Sequence, residues 1–323
     1  MADTNNSVTL EKFESTVVEM PAIKKPLTKY DRAAILSKEF ENSLKDGTMP
    51  FLPNEQGVVD VKCAYNMNSN KAHKAHTQLF LSMRAKKLGS PTGAFVTSDT
   101  IKKAQDNGVK VLIKKGEHGK DLEVKDGSVM KWFNASQLEG ADELRKYLDE
   151  KIQKEFEKQE AYLKENPDKK RGGNVNLGGN NQYYDSPNTE GDIACTAFKR
   201  TVNEKTGKEY IANADTADYL GQVLAAMQTK SRLVVTPEQA ELFKNAALKE
   251  INTTFVKIEN GKQIDTGKKD YFAVYKMLNS ADNARKKYIE AIHEQRGTAY
   301  KQQKAAPEQK TAKKKEPETI HGR

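Results

Sequence analysis

The stretch Val109-Lys110-Val111-Leu112-Ile113-Lys114-Lys115-Gly116-Glu117-His118-Gly119-Lys120 decides how the first half of the chain is read. Val109, Val111 and Ile113 alternate with Lys110, Leu112 and Lys114, the period of a strand buried mostly on one face. The glycines between Lys115 and Gly119 allow a tight reversal. Asp121 to Lys125 can then pair back, Asp126-Gly127 can turn again, and Ser128 to Phe133 can supply a third strand. A three-stranded antiparallel meander with lysines around its first turn is expected, and it suits an anionic ligand better than a small apolar one.

Just upstream, no Asp or Glu occurs between Asp60 and Asp99, although the chain has 45 acidic residues in 323. About five would fall in such a window by chance. The same window holds Lys62, Lys71, Lys74, Arg84, Lys86 and Lys87, with Tyr65 and Asn66 near its start. It projects positive potential without local neutralisation.

The whole chain carries a net charge of +9, which puts nucleic acid first among partners, ahead of an acidic protein or an anionic membrane surface. Hydrophobic residues make up 36% and charged residues 31%, polar for one compact globule, so solvated helices and disordered ends are expected. The two cysteines, Cys63 and Cys195, form no disulfide framework and suit a reducing compartment. No apolar run approaches the roughly 20 residues that span a bilayer, and Met1 to Ser7 lacks the start of a signal peptide. The expected location is the cytoplasm.

In chain order, residues 1–27 are polar and read as disordered. Thr28 to Lys45 reads as a helix with Asp31 in its first turn, ended by Gly47. Met49 to Pro53 reads as an extended apolar segment laid across a core. Lys71 to Leu88 has a helical stripe through Ala72, Ala75, His76, Leu79, Phe80 and Met83. Ala94 to Thr97 reads as a strand, followed by a short helix from Ser98 to Asn107-Gly108. Ser136-x-x-Glu139 has the form of a capping box before a charged helix over 141–165. Residues 166–181 read as a Gly- and Asn-rich linker. A second domain over 182–297 follows, with strands at 193–199 and 210–212, helices at 214–229, from Thr236-Pro237, and at 280–293, and a hairpin across Asn260-Gly261. Residues 298–323 read as a disordered basic tail.

The fold class expected is therefore α+β. A small N-terminal α+β domain (28–140) carries the meander, a long charged helix leads out of it, and a second, smaller α+β domain follows.

Chemistry for catalysis is sparse. His73 and His76 are three apart, separated by Lys74 and Ala75 rather than by a hydrolase glutamate, and Cys63 is a candidate third ligand. His293-Glu294 is followed by Gly297 where a second histidine would be needed. Neither cysteine lies in a nucleophile motif. No catalytic residue, metal or cofactor is assigned. What remains is a basic module with Tyr65, Trp132 and Phe133 available to stack bases while cations follow phosphates. Core packing is the alternative for Trp132 and Phe133, and alternation turns only one of them inward.

Four stretches together resemble the N-terminal domain of the ArdC-type antirestriction proteins of plasmids and phages. They are Leu44-Lys45-Asp46-Gly47-Thr48-Met49-Pro50-Phe51; Tyr65-Asn66 to Asn68 before the helix ending Leu88-Gly89; Ala94-Phe95-Val96-Thr97, a short helix and Val109 to Gly119; and Trp132-Phe133-Asn134-Ala135-Ser136-Gln137-Leu138-Glu139-Gly140. The resemblance covers residues 30–140 and implies a small α+β domain that binds single-stranded DNA. Phe51 stands where the family has tryptophan, and the His-Glu-x-x-His of the family's metallopeptidase domain is absent, so peptidase activity is not carried over. After Gln182 the similarity is confined to Asp218-Tyr219-Leu220-Gly221 and Thr236-Pro237-Glu238-Gln239-Ala240.

The expectation is a non-enzymatic single-stranded-DNA-binding protein of a phage or mobile element, associated with DNA protection against restriction. Its binding residues would be Lys62, Tyr65, Asn66, Asn68, Arg84, Lys86, Lys87, Lys114, Lys115, His118, Lys120 and Trp132. The alternatives are a structural or injected virion protein acting through protein contacts, and a metal-dependent hydrolase using His73 and His76. Single-stranded DNA is the expected partner, a phage or host protein is the candidate partner of the second domain, and no membrane is involved. A virion is the alternative to the host cytoplasm.

Overall fold

The computed structural model describes residues 28–123, 128–168, 184–259 and 262–305. The expected disordered N-terminus, nearly all of the expected linker, and the tail from 306 onward lie outside the described residues.

The first half contains α1 (Lys29–Lys45), β1 (Val58–Val59), β2 (Tyr65–Asn66), β3 (Lys71–Ala72), α2 (Ala75–Lys87), β4 (Ala94–Thr97) and α3 (Ser98–Asp106). It continues through β5 (Leu112–Ile113), β6 (Lys120–Glu123), β7 (Val129–Asn134), β8 (Leu138–Glu139) and α4 (Ala141–Glu165). The second half holds β9 (Asp192–Ala194), β10 (Lys199–Val202), β11 (Glu209–Ala212), α5 (Thr216–Gln228), β12 (Arg232–Val234) and α6 (Pro237–Ile251). It ends with β13 (Thr254–Glu259), β14 (Lys262–Lys269) and α7 (Ala273–Ala305). The fold is mixed α+β, with several small sheets.

The largest sheet has the order β3-β2-β4-β7-β6. β2 and β4 are parallel, with α2 in the connection, and β7 is antiparallel to both β4 and β6. Trp132 and Phe133 are consecutive in β7 and so point to opposite faces. Both are buried, so the sheet is covered on both sides, and the inference that only one turns inward is corrected.

The expected meander is also corrected. β5 pairs with β8, Leu112 opposite Glu139 and Ile113 opposite Leu138, and not with β6. Lys114 N donates to Gln137 O at 3.0 Å and extends that pairing. Gly140 makes it possible: its φ is +71°, and a Cβ there would lie 1.9 Å from Lys110 O, so a side chain would force the two backbones apart. The burial pattern follows, with Val111 buried while Leu112 and Ile113 face outward.

The division into two separately packed domains does not match the core. β1 pairs with β12, Val58 opposite Val234 and Val59 opposite Leu233, and β12 pairs with β9 in parallel. Tyr219 of α5 donates its hydroxyl proton to Phe51 O at 3.0 Å. Phe40, Phe51 and Phe80 belong to the same buried cluster as Tyr219, Phe243 and Met277. The reason lies in α5, which is buried around nearly its whole circumference. Such a helix is the interior of a molecule rather than the surface of a small domain. Gly221 lets it approach α7, since a Cβ there would lie 2.6 Å from Ala284 Cβ.

Three element limits differ from expectation. α2 begins at Ala75, because Lys71 and Ala72 are used as a strand against Tyr65 and Asn66. The cap after β7 is Asn134, whose side chain accepts from Ser136 N while Gln137 reaches back to Asn134 N, so Ser136 is not the cap. α7 starts seven residues before Ser280 and continues through Gly297 to Ala305, so the first part of the expected disordered tail is helical. Met49 to Phe51 is a turn rather than an extended run, closed by Leu52 N donating to Met49 O. No helix of the described residues is long and apolar enough to cross a membrane.

Candidate nucleic-acid interface

A groove of about 690 Å³ runs between α1, the end of α2 and the segment entering β6. α1 forms because Thr28 caps it in a reciprocal pair with Asp31 and because Ala33, Leu36, Phe40 and Leu44 give it one apolar face. Its neighbouring polar edge, Glu39, Asn42, Ser43 and Asp46, recurs every three to four residues and lines the groove. α2 buries Leu79, Phe80 and Leu81 and carries Arg84, Lys86 and Lys87 in its last turn, where the free carbonyls favour cations. His118, Gly119 and Lys120 form the third wall. Gly119 is needed there, since a Cβ would lie 2.5 Å from Lys131 Cγ and 3.0 Å from the Phe133 ring.

The groove carries four permanent cations, Arg84, Lys86, Lys87 and Lys120, against two carboxylates, Glu39 and Asp46. Lys120 is paired with Glu39 and sits 5.7 Å from the Phe80 ring centroid. Arg84 Nη2 donates to His118 O at 2.7 Å, tying α2 to the third wall. Lys86 and Lys87 are exposed and take part in no ion pair among the described residues. The positive charge left over is therefore concentrated at the end of α2, and the two fixed cations hold the walls.

Five of the twelve expected binding residues meet here: Arg84, Lys86, Lys87, His118 and Lys120. Lys62 lies in an adjoining cavity of about 460 Å³, which shares Lys86 with the groove. Its ammonium is used on backbone carbonyls, donating to Pro91 O and to Asp185 O at 2.9 Å. Lys114 and Lys115 are exposed on their turn but outside the groove, and Lys114 Nζ donates to Ser136 O at 2.7 Å. Asn66 and Asn68 stabilise the β2–β3 turn, with Asn66 Oδ1 accepting from Asn68 N at 2.9 Å.

Tyr65 and Trp132 are not positioned to stack bases. Tyr65 has no exposed surface. Its hydroxyl donates to Asp185 Oδ2 at 2.8 Å and receives Arg145 Nη1 at 3.3 Å. Burial, reinforced by the Asp185 charge, pushes its ionisation far above the usual range. Trp132 is 5% exposed and meets the His73 ring edge to face at 4.7 Å. Both became interior because the sheet is covered on each face, an outcome invisible to a window of local sequence. Among the described residues, no Phe, Tyr or Trp side chain lines the groove or the adjoining cavity, and the imidazole of His118 is the aromatic ring on the groove wall.

The remaining reactive groups are interior. Burial pushes the Cys63 thiol up to about 12 and the Cys195 thiol up to about 11, so neither is a thiolate at neutral pH. Among the described residues no three His, Cys, Asp or Glu side chains form a group that could hold a metal ion. Two features escaped the sequence. The acidic edge of α1 carried a signal, the spacing of Glu39, Asn42 and Asp46, whereas nothing local marks Asp185 as the acceptor shared by Tyr65, Thr92 and Arg145. Neither the family models, the curated proteins nor the solved structures contain a match to this chain.

Proposed function

We propose that this chain is a non-enzymatic single-stranded-DNA-binding protein that takes the strand's phosphates along the groove between α1, α2 and residues 118–120. One observation carries the reading. Arg84, Lys86, Lys87, His118 and Lys120, drawn from two separated segments, converge on one concave surface with Lys86 and Lys87 unpaired. A phosphate backbone is the polyanion that the four permanent cations among them, Arg84, Lys86, Lys87 and Lys120, recognise. The resemblance of residues 30–140 to the ArdC-type domain is the reason DNA, and with it protection of entering phage or plasmid DNA, is named. The test is fluorescence anisotropy with single-stranded and duplex oligonucleotides across a salt series. Tighter, salt-dependent binding of single strands supports the reading, and absence of binding at low salt removes it.

One observation favours a second reading, a virion or scaffold protein acting through protein contacts. The β13–β14 hairpin presents Phe255, Val256, Ile258 and Ile264 to solvent, distributed over both faces. Concentration-dependent association in sedimentation, lost on Ile258→Lys, would support it.

A further inference from the structure

The cavity beside the groove is walled chiefly by apolar groups, among them Leu52, Pro53, Val61, Ala85 and Pro91. Its volume of about 460 Å³ falls within the roughly 300–1,000 Å³ of small-molecule sites. Lys86 belongs to both spaces, so a ligand with its anionic part on Lys86 has its next few atoms at the cavity mouth. From this geometry we infer that the cavity is a nucleobase pocket: it receives one unpaired base of a strand whose phosphates lie in the groove. This inference rests on the proposed function and specifies how that site would tell a single strand from any other polyanion.

Three observations lead to it. First, the strand needs somewhere to put its bases, and the aromatic platforms expected from sequence, Tyr65 and Trp132, are interior. An apolar slot can do the same work, because the flat faces of a base leave water favourably. Second, the polar side chains around the slot are largely engaged with the protein. Asn54 Oδ1 accepts from Gln56 N and Val58 N, and Asp60 Oδ1 accepts from Asn188 Nδ2. Thr92 Oγ1 donates to Asp185, Ser90 Oγ donates to Asn134, and Lys62 holds two carbonyls. Few groups are left to read base edges, so the pocket registers that a base is present and not which base it is. Third, charge and shape agree: the apolar slot opens beside an unpaired cation, the pattern of a nucleotide rather than of a neutral apolar ligand. A duplex could fill the slot only after unpairing and unstacking a base, which gives the preference for single strands a structural origin.

The experiment compares three fluorescent probes of equal length on the full chain: oligothymidylate, an abasic sugar–phosphate strand and a duplex. The wild-type protein is expected to bind oligothymidylate about tenfold more tightly than the abasic strand, with the same salt slope for both. Ala85→Phe, which fills the slot, should bring oligothymidylate down to the abasic affinity and leave the slope unchanged. Pro91→Trp on the exposed rim is the second variant should Ala85→Phe lower the melting temperature. Equal binding of the abasic strand and oligothymidylate by the wild type overturns the pocket while leaving the groove reading intact. So does a slot-filled variant that folds and still prefers oligothymidylate. Absence of binding to every probe removes the groove reading, and the pocket with it.

Discussion

Tyr65 donates its hydroxyl proton to Asp185 Oδ2 at 2.8 Å, joining residues 120 positions apart. Asp185 also receives Arg145 Nη1 at 2.9 Å on Oδ2, and Gly93 N at 3.2 Å and Thr92 Oγ1 on Oδ1. One carboxylate thus fastens the chain just after residues 169–183 to β2, to the segment before β4 and to α4. Lys62 adds a further tie to Asp185 O.

Removing that carboxylate should be felt as lost stability. Asp185→Ala removes the carboxylate that accepts from both the Tyr65 hydroxyl and the Arg145 guanidinium. The side chains of Arg145 and Asp185 each keep 19% exposure, so the expected loss is about 2 kcal/mol, below the roughly 3–5 kcal/mol of a fully buried pair. Tyr65→Phe removes the hydrogen bond given to Asp185 and the longer one received from Arg145, and should cost about 1–2 kcal/mol. Urea midpoints measure both. Tyr65→Phe should also leave oligonucleotide binding unchanged, because the ring is interior. A marked loss of affinity at wild-type stability would return Tyr65 to the interface.

Cleavage within residues 169–183 should produce a nicked molecule rather than two free domains. The segment has almost no apolar residue to anchor it. The two flanking portions nevertheless share the β1–β12–β9 sheet, the Phe51–Tyr219 bond and one buried cluster. After limited proteolysis the fragments should co-elute in native gel filtration and separate only in denaturant. Separation under native conditions would show that the shared core does not hold.

The helices and strands with strong local signals were legible in the sequence. Thr28 with Asp31, Thr236-Pro237 with Gln239, and the Ala141–Glu165 stripe each fix an element through neighbours within one or two turns. The long-range pairings were not. β1, β5 and β8 are two residues long, and their partners are chosen by which backbones can approach, as Gly140 shows. The candidate site divides the same way. Arg84, Lys86 and Lys87 sit on one helical turn and are found together. Lys114 and Lys115 lie close to His118 in sequence, yet the β5–β8 pairing takes their turn outside the groove.

His73 should make the fold sensitive to acid. Burial, with the nearby His76, lowers its ionisation to about 3 from the ordinary 6.5. The folded state therefore keeps His73 neutral while the unfolded chain binds a proton below pH 6.5. Stability is unaffected above that value and falls as pH drops through the window from 6.5 towards 3. By pH 5 the loss is about 2 kcal/mol. His73→Gln should flatten this part of the stability profile, measured by urea denaturation between pH 5 and 7.5, even if its stability at neutral pH is lower. A parallel pH dependence in the variant would assign the sensitivity to another group.

The groove and the turn should separate in a salt titration. Lys86 and Lys87 are exposed, unpaired and on the groove wall. Lys114 and Lys115 are exposed but outside it. Replacing either pair with alanine removes the same charge and should leave the melting temperature nearly unchanged, so net charge and folding are matched between the two variants. Each phosphate contact on a single strand adds about 0.7 to the log–log dependence of affinity on salt. Lys86→Ala with Lys87→Ala should therefore weaken binding at low salt and reduce the slope by about 1.4. Lys114→Ala with Lys115→Ala should change neither by more than the long-range effect of two distant charges, which shrinks as the Debye length falls to about 8 Å near physiological salt. Equal effects from the two pairs would mean that the strand is attracted by net charge alone. A larger effect from Lys114 and Lys115 would move the interface to the turn.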